Sequence, residues 1–518
     1  MAHKQITTDV LVIGGGLAGM SAALEAAQRG HQVLILNKGD NASRSVLGFN
    51  APISGMDSVN CYVEDTVRGG WQINDASLVH ILAEGSLETI REMEQIGQTF
   101  DRENGEYHLL QPLGCSHPRL VHEGNKTGKI SMELICLKLK DYGVQWMEDT
   151  MVLDLICIRG RVWGAWAVTQ KEQTLWKIYA KAVVLATGGG HLFRGSTYPM
   201  CQTADGYAMA YRAGASLRDM EFVQFEPCRA IWPKPLGIST TLLTKGGMLK
   251  NSRGERFVLK HFKSEGEVPK DVLARLITLE ILEGRGTEHG GVYLDLTGMP
   301  REEIVKNHSL YYERFRTVNI DLTKDVVEVG PCAHSMMGGV VIRKDGSVEG
   351  VAGMYAAGEV IGGLHGANRV GGNAGAETYV FGRLAGKGAA ACASDAVLPD
   401  LEEEAPFWEE SVTLDVSDFS CLQKEIRQIL AEYAGPVRTG QSLAYAKQKL
   451  EAVQREYVAL VPGKTARPYA AEAANMLLIA KLICDAADMR KESRGCHYRS
   501  DYPQMDDTWQ RSILWKYT

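Results

Sequence analysis

The stretch that decides the fold is residues 8–39, TDVLVIGGGLAGMSAALEAAQRGHQVLILNKG. Its apolar run 9–13 predicts a buried strand, and the Ala-rich segment after the glycines predicts a helix followed by a second strand. Gly14, Gly16 and Gly19 stand between strand and helix at GxGxxG spacing. Glycines there let the turn tighten, let the backbone approach a pyrophosphate and let the helix pack on the strand. The stretch therefore predicts a Rossmann-like α/β unit that binds a dinucleotide.

The fingerprint alone leaves FAD and NAD both open. The second strand ends at Asn37 and Lys38, where such units usually carry an acid that holds the adenosine ribose. Two later segments favour FAD. Residues 180–193, AKAVVLATGGGHLF, are another buried strand that runs into glycines. Residues 351–386 contain a strand, an acidic residue and a Gly/Asn-rich entry to a helix. A flavoprotein with two dinucleotide-binding domains wraps extended FAD with pieces of this kind.

Composition narrows the class of protein and its partners. The chain has 518 residues, 45% of them hydrophobic and 23% charged, which suits two or three globular domains. A formal net charge of −7 and the lack of a basic stripe argue against a nucleic-acid or anionic-membrane partner. The longest apolar windows stop well short of the roughly 20 residues that a membrane helix needs, so we expect no membrane insertion.

The cysteines and the first residues bear on the compartment. The eleven cysteines include no pair at CxxC spacing, so we expect no zinc or iron–sulfur site in this chain and mostly reduced thiols. The polar start runs directly into the first apolar strand, without a signal-peptide cleavage site or a twin arginine. These features predict a cytoplasmic protein without a bound metal.

Several ordered motifs together identify a family. They are QTADGYAMAYRAGASLRDMEFVQFEP at 202–227, KDVLAR at 270–275, HSMMGG at 334–339 and ESRGCHYRSDYP at 492–503. With them the chain resembles the succinate dehydrogenase/fumarate reductase flavoprotein family, which includes L-aspartate oxidase. The likeness covers nearly the whole length. It implies an α/β FAD-binding domain, Rossmann-like and of the two-dinucleotide-binding-domain type, with an inserted α+β capping domain and a C-terminal helical domain.

The resemblance also implies the domain limits. Residues 1–230 and 334–400 would form the FAD-binding domain, and residues 231–333 the capping domain, which closes over the flavin and is the element most able to move. Residues 401–518 would follow an acidic, proline-marked linker and form the helical domain.

Family motifs carry over to individual cofactor-binding residues. By resemblance, Gly14, Gly16, Gly19 and Lys38 hold the ADP half of FAD. The remaining cofactor-binding residues that the resemblance implies are Ser43, Ser45, Thr187, Gly188, Asp205, Glu359, Asn373 and Ala374. Many relatives attach FAD covalently through a histidine in the segment that aligns with residues 41–50. This chain has Arg44 there and no nearby histidine, so we expect non-covalent FAD.

The resemblance places a carboxylate substrate between three side chains. His334 and Arg369 would clamp one carboxylate, and Arg275 would deliver or remove a proton. A guanidinium recognises a carboxylate bidentately, and withdrawal of charge from an enoate makes its far carbon accept hydride. An arginine acid conflicts with the rule that arginine stays protonated in proteins, which solvent could ease by reloading it through Glu255 and Arg256.

One departure from the family concerns the other end of the substrate. Family members that convert fumarate or succinate hold the second carboxylate with the histidine of QFHPT, where this chain has Glu226. Their TEGxRGxGG loop is replaced here by residues 239–247, STTLLTKGG. Glu226 about 4 Å from a second carboxylate would cost roughly 4 kcal/mol at an effective dielectric near 20. We therefore expect Glu226 to face a cationic or hydrogen-bond-donating group, the alternative being a structural ion pair with Arg229 or Lys234.

The resulting hypothesis is an FAD-dependent oxidoreductase that reduces the C=C bond of an α,β-unsaturated carboxylate, or the reverse, and not fumarate itself. Residues 225–243 also resemble the adenylylsulfate reductase flavin subunit, with Arg229 and Leu242 as matching residues. That enzyme lacks the carboxylate clamp, but the likeness suggests an iron–sulfur or other electron-transfer partner. The alternatives are an iron–sulfur-partnered reductase of another substrate, an amino-acid oxidase of the L-aspartate oxidase type, and an electron-relay subunit.

Two further segments have predicted structural roles. His117, Arg119 and His122 lie close in sequence, in a loop that the family brings near the substrate channel, and we expect this loop to line the pocket mouth. The charges of residues 492–503 would tie the helical domain to the FAD-binding domain through ion pairs.

Overall fold

The computed structural model describes residues 3–238, 240–399, 416–461 and 467–517. Its strands are β1 (His3–Ile13), β2 (Val33–Leu36), β3 (Phe49–Asn50), β4 (Arg102–Glu103), β5 (Glu106–Tyr107), β6 (Leu109–Leu110), β7 (Leu120–Val121), β8 (Gln145–Met147), β9 (Thr150–Ile158), β10 (Arg161–Thr169), β11 (Thr174–Leu185), β12 (Leu217–Arg218), β13 (Val223–Ala230), β14 (Leu236–Gly237), β15 (Met248–Lys250), β16 (Val292–Asp295), β17 (Val327–Met336), β18 (Gly339–Val340), β19 (Met354–Ala356) and β20 (Leu514–Trp515).

The α-helices are α1 (Leu17–Gln28), α2 (Val59–Gly69), α3 (Ala76–Gln95), α4 (Thr127–Asp141), α5 (Asp205–Arg212), α6 (Thr241–Thr244), α7 (Lys270–Glu280), α8 (Ser309–Arg316), α9 (Asn373–Asp395), α10 (Val416–Tyr433), α11 (Gly440–Leu460) and α12 (Pro468–Met489).

The largest sheet has the order β8-β2-β1-β11-β10-β9, and β19 also pairs with β11. The pairs among β8, β2, β1, β11 and β19 are parallel, whereas β10 and β9 extend the sheet antiparallel. Val10, Leu11 and Val12 are fully buried, as expected of a strand covered on both faces. The predicted α/β architecture is confirmed.

Helices α1 and α9 pack closely on each other beside this sheet. A side chain at Gly382 or Gly386 of α9 would come within 2.5 Å or 2.3 Å of carbonyl oxygens of α1, those of Ala18 and Ala22. Glycine is therefore required on α9 where the two backbones meet.

A second, antiparallel sheet with the order β14-β13-β17-β16-β15 carries the cap. Its hydrophobic core runs from Cys228 to Val329 and includes Leu273 and Ile277 of α7. β17 continues past this core to His334 and Ser335, which line the functional cavity. Strands β13 and β17 thus connect the cap with the FAD-binding part. The domain limits given from the sequence stay a prediction.

Helices α10, α11 and α12 fall where the sequence predicts helices, and they share one hydrophobic core with the large sheet. The predicted linker at 401–415 lies outside the described residues. In the described parts of the chain, every helix is too short or too polar to traverse a lipid bilayer.

Buried ion pairs join the C-terminal segment to the rest. Arg490 Nε lies 2.6 Å from Glu221 Oε1, and Arg490 Nη1 lies 3.0 Å from Glu492 Oε1, with all three side chains fully buried. The main chain contributes as well, since the Cys496 N–H donates to the Ala367 carbonyl at 2.9 Å. These contacts agree with the predicted tie between the helical and FAD-binding parts.

Candidate active site

A cavity of about 840 Å³ lies where the parallel strands end beneath the cap. The residues that follow β1, β2, β11 and β19 line it on one side, and cap residues 269–271 line it on the other. Its volume falls within the range of about 300–1,000 Å³ that is usual for small-molecule sites. The carboxyl ends of parallel strands are where open α/β sheets bind ligands.

The glycine turn after β1 has the geometry that the fingerprint predicts. Gly14 has φ +117°, and a Cβ there would lie 2.1 Å from the Ala186 carbonyl oxygen. A Cβ at Gly19 would lie 1.9 Å from the Gly14 carbonyl oxygen, so α1 can approach the turn only because both residues are glycine. Gly14 lines the cavity, whereas Gly19 packs behind the turn.

Helix α1 begins at the cavity with an open N-terminus. Its N-cap, Gly16, lines the cavity and makes no side-chain capping bond, while the Leu17 N–H donates to Ser43 Oγ at 3.0 Å. Ser43 and Ser45 also line the cavity, and the exposed Arg44 between them does not. Apart from this bond to Leu17, the first turn of α1 has no side-chain cap, and such a helix N-terminus favours a bound anion such as a pyrophosphate.

Helix α9 brings a second open N-terminus to the same cavity. Its N-cap, Gly372, has φ +82° and no side-chain capping bond, and Ala374 follows it in the lining. Asn373 is fully buried behind the lining, where its Oδ1 accepts from Asn50 Nδ2 at 2.7 Å and its Nδ2 donates to Thr66 Oγ1 at 3.0 Å. Asn373 thus positions the start of α9.

Lys38 lines the cavity within a network of carboxylates. Its Nζ lies 2.7 Å from Asp205 Oδ2 and 2.7 Å from Glu472 Oε1, and it donates to Thr203 Oγ1 at 2.7 Å. Burial alone would lower the pKa of Lys38, but Asp205 and Glu472 together raise it. Since Glu472 belongs to α12, the helical domain reaches the cofactor side of the cavity.

Glu359 lines the cavity with one oxygen already saturated. Its Oε1 accepts from the Tyr198 hydroxyl, from Ser335 Oγ at 3.1 Å and from the Met336 N–H at 2.9 Å. Burial raises the pKa of Glu359.

Unpartnered polar atoms around the cavity test whether FAD fits. Asn41 Oδ1, Thr187 Oγ1 and Gln202 Oε1 belong to lining residues and are buried without a hydrogen-bond partner. Gly188 lines the wall beside Thr187 with φ +70°. Buried polar groups normally have partners, so these atoms fit a ligand rich in hydroxyl, phosphate and amide groups. Together with the two open helix ends, they fit FAD.

His334 sits at the cap end of the cavity as a neutral imidazole. Its Nδ1 lies 2.9 Å from Thr197 Oγ1, which leaves Nε2 for a ligand. Burial lowers the pKa of His334 well below 6.5, and the positive charges of Arg369, Lys270 and Arg229 lower it further.

Arg369 lines the same end and is held by Gln224. Arg369 Nη2 donates to Gln224 Oε1 at 3.1 Å, and Gln224 Nε2 donates to the Arg369 carbonyl at 2.9 Å. The Arg369 Nε is buried without a partner, so it can still donate to a ligand. The structure therefore brings His334 and Arg369 to one place.

Glu226 does not line the cavity but lies behind Lys270, which does. Lys270 Nζ donates to Glu226 Oε2 at 2.6 Å. Neither partner expected for a structural ion pair is used, because Arg229 donates to the Ser196 carbonyl and Lys234 lies exposed on the cap. The positive charge of Lys270 offsets the negative charge of Glu226. The expectation that Glu226 disfavours a second substrate carboxylate depended on that negative charge.

Arg275 is not among the described residues that line the cavity. It lies on α7 one turn after Asp271, and its guanidinium stacks 4.5 Å above the Tyr498 ring. The neighbours expected to reload it with protons are engaged elsewhere: Arg256 Nη2 lies 2.8 Å from Glu265 Oε2, and Glu255 Oε2 lies 3.0 Å from Lys260 Nζ. The cation that α7 presents to the cavity is Lys270.

The residues that match adenylylsulfate reductase also stand back from the cavity. Leu242 is fully buried in the cap core, and Arg229 binds the main chain as described. Neither is among the described lining residues.

The loop with His117, Arg119 and His122 was expected to line the pocket mouth, but these three side chains do not line the cavity. The lining residues here are Leu120 and the preceding segment, including Gln111, Leu113 and Gly114. Asp57, Cys61 and His117 stand close enough to share a metal ion, but Asp57 already receives the Arg119 guanidinium, with Nε to Oδ2 at 3.0 Å. We therefore assign no metal there.

Sequence reasoning missed Lys270 and Gln224. Lys270 is the first residue of the KDVLAR motif, and Gln224 stands two residues before Glu226 on β13. Their positions within family motifs were the available signal.

Comparisons with known proteins agree with this geometry. A family model described as an FAD binding domain matches residues 9–374, and one described as the fumarate reductase flavoprotein C-terminus matches residues 423–518. The chain is 36% identical to a fumarate reductase (CoM/CoB) subunit from Methanothermobacter marburgensis, over 99% of this chain and 98% of that one. It is 33% identical to L-aspartate oxidase of Vibrio cholerae, over 97% of each chain.

Solved structures give the same result. Mycobacterium smegmatis Sdh1 in complex with UQ1 superposes with a TM-score of 0.89 at 32% identity, covering 99% of this chain and 92% of that one. An adenosine-5-phosphosulfate reductase shares the fold, with a TM-score of 0.78 at 20% identity, covering 99% of this chain and 94% of that one. The chain therefore belongs to the succinate dehydrogenase/fumarate reductase flavoprotein family and is an FAD-dependent oxidoreductase.

Proposed function

We propose that this protein reduces the C=C bond of an α,β-unsaturated carboxylate, or catalyses the reverse dehydrogenation. The observation that carries the proposal is the meeting of His334, Arg369 and Lys270 at the cap end of a cavity whose other walls fit FAD. Bound FAD would supply the hydride for reduction, or accept it in the reverse direction. We further propose that FAD is held without a covalent bond, since Arg44 stands exposed outside the lining.

His334 and Arg369 would hold the substrate carboxylate. Neutral His334 has Nε2 available, and Arg369 keeps its Nε free while Gln224 fixes Nη2. A guanidinium beside a carboxylate forms short, charge-assisted hydrogen bonds that orient it. The same contacts withdraw charge from the conjugated double bond, so the far carbon becomes the better hydride acceptor.

Lys270 replaces Arg275 as the proposed proton donor. Addition of a hydride to one carbon of the double bond leaves negative charge on the other, and a proton from the Lys270 ammonium completes the C–H bond. Lysine suits this role better than arginine, because an ammonium group gives up its proton more readily than a guanidinium group. Glu226, at 2.6 Å, accepts one N–H of Lys270 and keeps the ammonium group in place.

The proposed electron source is an iron–sulfur or other electron-transfer protein. In support, the M. marburgensis relative is named as one subunit of its enzyme. The proposed compartment is the cytoplasm, because the eleven cysteines are all free in the structure, as is usual for reduced compartments.

The test is anaerobic reoxidation of the dithionite-reduced holoprotein by a panel of enoates with amine, imidazole, aryl and carboxylate tails. We expect the yellow flavin band to return with at least one enoate. Arg369→Met and Lys270→Met should each slow that return by about 100-fold or more. Lys263→Met, which changes an exposed lysine of the same cap, should leave the rate unchanged.

Other outcomes would overturn the proposal in distinct ways. Return of the band with ferricyanide but with no enoate would indicate an electron-relay subunit. Rapid peroxide formation in air with an amino acid would indicate an oxidase. Retention of the full rate by Lys270→Met would remove Lys270 from the mechanism.

A further inference from the structure

The cap contributes more negative than positive charge to its end of the cavity. The charged cap residues in the lining are Lys270, Asp271 and Glu267, and Glu226 lies behind Lys270. These residues supply one ammonium group and three carboxyl groups. The charge of the ammonium group is already offset by Glu226, at 2.6 Å.

Asp271 lines the cavity with one carboxyl oxygen that has no protein partner. It is 8% exposed, it lines the cavity, and its Oδ1 is buried without a hydrogen bond. Buried acceptors of this kind are normally satisfied, so the atom points to a donor that the protein itself does not supply. Burial raises the pKa of Asp271, while hydrogen bonds from the backbone N–H groups of Asp271 and Val272 and the positive charge of Arg275, one turn further along α7, lower it.

We propose that Asp271 is the specificity-determining residue, and that it selects monocarboxylic enoates whose far end carries a hydrogen-bond donor such as an amide, a hydroxyl or an ammonium group. This inference rests on the proposed function. Asp271 Oδ1 accepts the donor, and Glu226 supports the selection because it withholds the Lys270 charge from a second carboxylate. A dicarboxylate would place its second negative charge beside Asp271, where the one cation that the described cap residues contribute to the lining, Lys270, is already paired with Glu226.

The most informative test uses two substrates that have the same shape and differ by one charge. Fumarate and its monoamide, fumaramate, are close to isosteric, so their ratio of kcat/KM reports the distal group alone. A second negative charge about 4 Å from an unpaired carboxylate would change the ratio of kcat/KM by roughly a thousandfold at most. Solvent screening reduces this factor to on the order of 100-fold. We expect the reduced holoprotein to prefer fumaramate by that factor.

Two variants test which residues cause the preference for fumaramate over fumarate. Asp271→Asn should reduce the preference by about tenfold or more, because it removes the charge and adds a donor. Glu226→Gln should also reduce it, because Lys270 then becomes available to a carboxylate. Glu313→Gln changes an exposed acid of the same cap that does not line the cavity, and it should leave the preference nearly unchanged.

A binding measurement accompanies the kinetics. Succinamate should raise the midpoint of thermal unfolding of the oxidised holoprotein more than succinate does, and Asp271→Asn should remove that difference. Equal or better use of fumarate by the wild type, or a preference unchanged in both Asp271→Asn and Glu226→Gln, would overturn the inference while leaving the proposed function intact. Failure of every enoate to reoxidise the flavin would overturn both.

Discussion

Gln224 holds Arg369 at two points, since its Oε1 accepts from the guanidinium at 3.1 Å and its Nε2 donates to the Arg369 carbonyl at 2.9 Å. Gln224 lies on β13, the strand that also carries Glu226. A residue of the shared sheet therefore fixes the direction of the proposed carboxylate clamp.

Gln224→Met should weaken the substrate clamp without loss of FAD. Methionine has nearly the same length but cannot accept from the guanidinium, so Arg369 would lose its orientation. We expect kcat/KM for the best enoate to fall by roughly 10- to 100-fold. FAD content, measured from the visible spectrum, should stay at the wild-type level. A fall in FAD content equal to the fall in activity would contradict this role.

Gly14→Ala and Gly16→Ala should fail for different reasons. At Gly14 a methyl group would meet the Ala186 carbonyl at 2.1 Å with φ +117°, so we expect a loss of roughly 3 kcal/mol or more in the free energy of unfolding. At Gly16 the nearest atom is Ser43 Oγ at 3.0 Å. That variant should fold, but the methyl group stands at the open end of α1, so the Kd for FAD should rise at least about tenfold. Chemical denaturation and FAD titration separate the two effects.

Glu492→Gln should be strongly destabilising. Glu492 is fully buried between Arg490, at 3.0 Å, and Arg494, at 2.9 Å. Loss of its charge leaves the buried Arg494 guanidinium uncompensated, whereas Arg490 keeps its ion pair with Glu221. We expect the free energy of unfolding to fall by roughly 3–5 kcal/mol. The control is Glu302→Gln. Glu302 is exposed and pairs with Lys306 four residues later, so this variant should change the free energy of unfolding by less than about 0.5 kcal/mol. Similar losses in both variants would contradict the assignment.

His497 should make the protein less stable in mild acid. Arg438 Nη1 donates to its Nδ1 at 2.9 Å and its Nε2 donates to the Arg490 carbonyl at 3.2 Å, which fixes a neutral imidazole. Burial, with help from these two arginines, lowers the pKa of His497 well below 6.5.

The direction of this pH effect on the free energy of unfolding depends on how His497 titrates in the folded and unfolded states. In the unfolded chain a histidine titrates near pH 6.5. Above that pH both states are neutral and the contribution is zero. Below it only the unfolded state binds the proton, so the free energy of unfolding falls as the pH falls, by up to about 1.4 kcal/mol per pH unit.

Urea unfolding of the wild type and of His497→Gln between about pH 7.5 and about pH 5.5 checks this expectation. The difference in free energy between the two proteins should shrink as the pH falls, since contributions from other groups are shared. A constant difference across this range would show that His497 takes up its proton equally in both states.

The large sheet could be predicted because its signals are local. The turn at Gly14 to Gly19 and the apolar run before it specify a strand, a close turn and a helix within a few residues, and the structure forms them there. His334 and Arg369 were also expected together, and they do line one end of the cavity.

The proposed proton donor could not be chosen from the sequence because the sequence does not show which face of α7 meets the cavity. Lys270 and Arg275 are both in the KDVLAR motif, five residues apart, which places them about 140° apart around α7. Only the packing of α7 on β13 and β17 decides which of the two meets the cavity.

The partner of Glu226 was missed for a related reason. Arg229 and Lys234 are its neighbours in sequence, whereas Lys270 lies 44 residues further on and reaches Glu226 through the tertiary fold. Sequence proximity favours local ion pairs, and it gives no information on contacts between a strand and a helix that follows a long connection.

The close packing of α1 on α9 has a consequence for how the protein matures. These helices lie near opposite ends of the FAD-binding part, so a loop of several hundred residues must close before both of their N-termini face one cavity. Long-range closures of this kind are slow steps in folding. Flavin capture should thus be among the last events of maturation, and the quenching of free-flavin fluorescence can serve as a clock for native assembly.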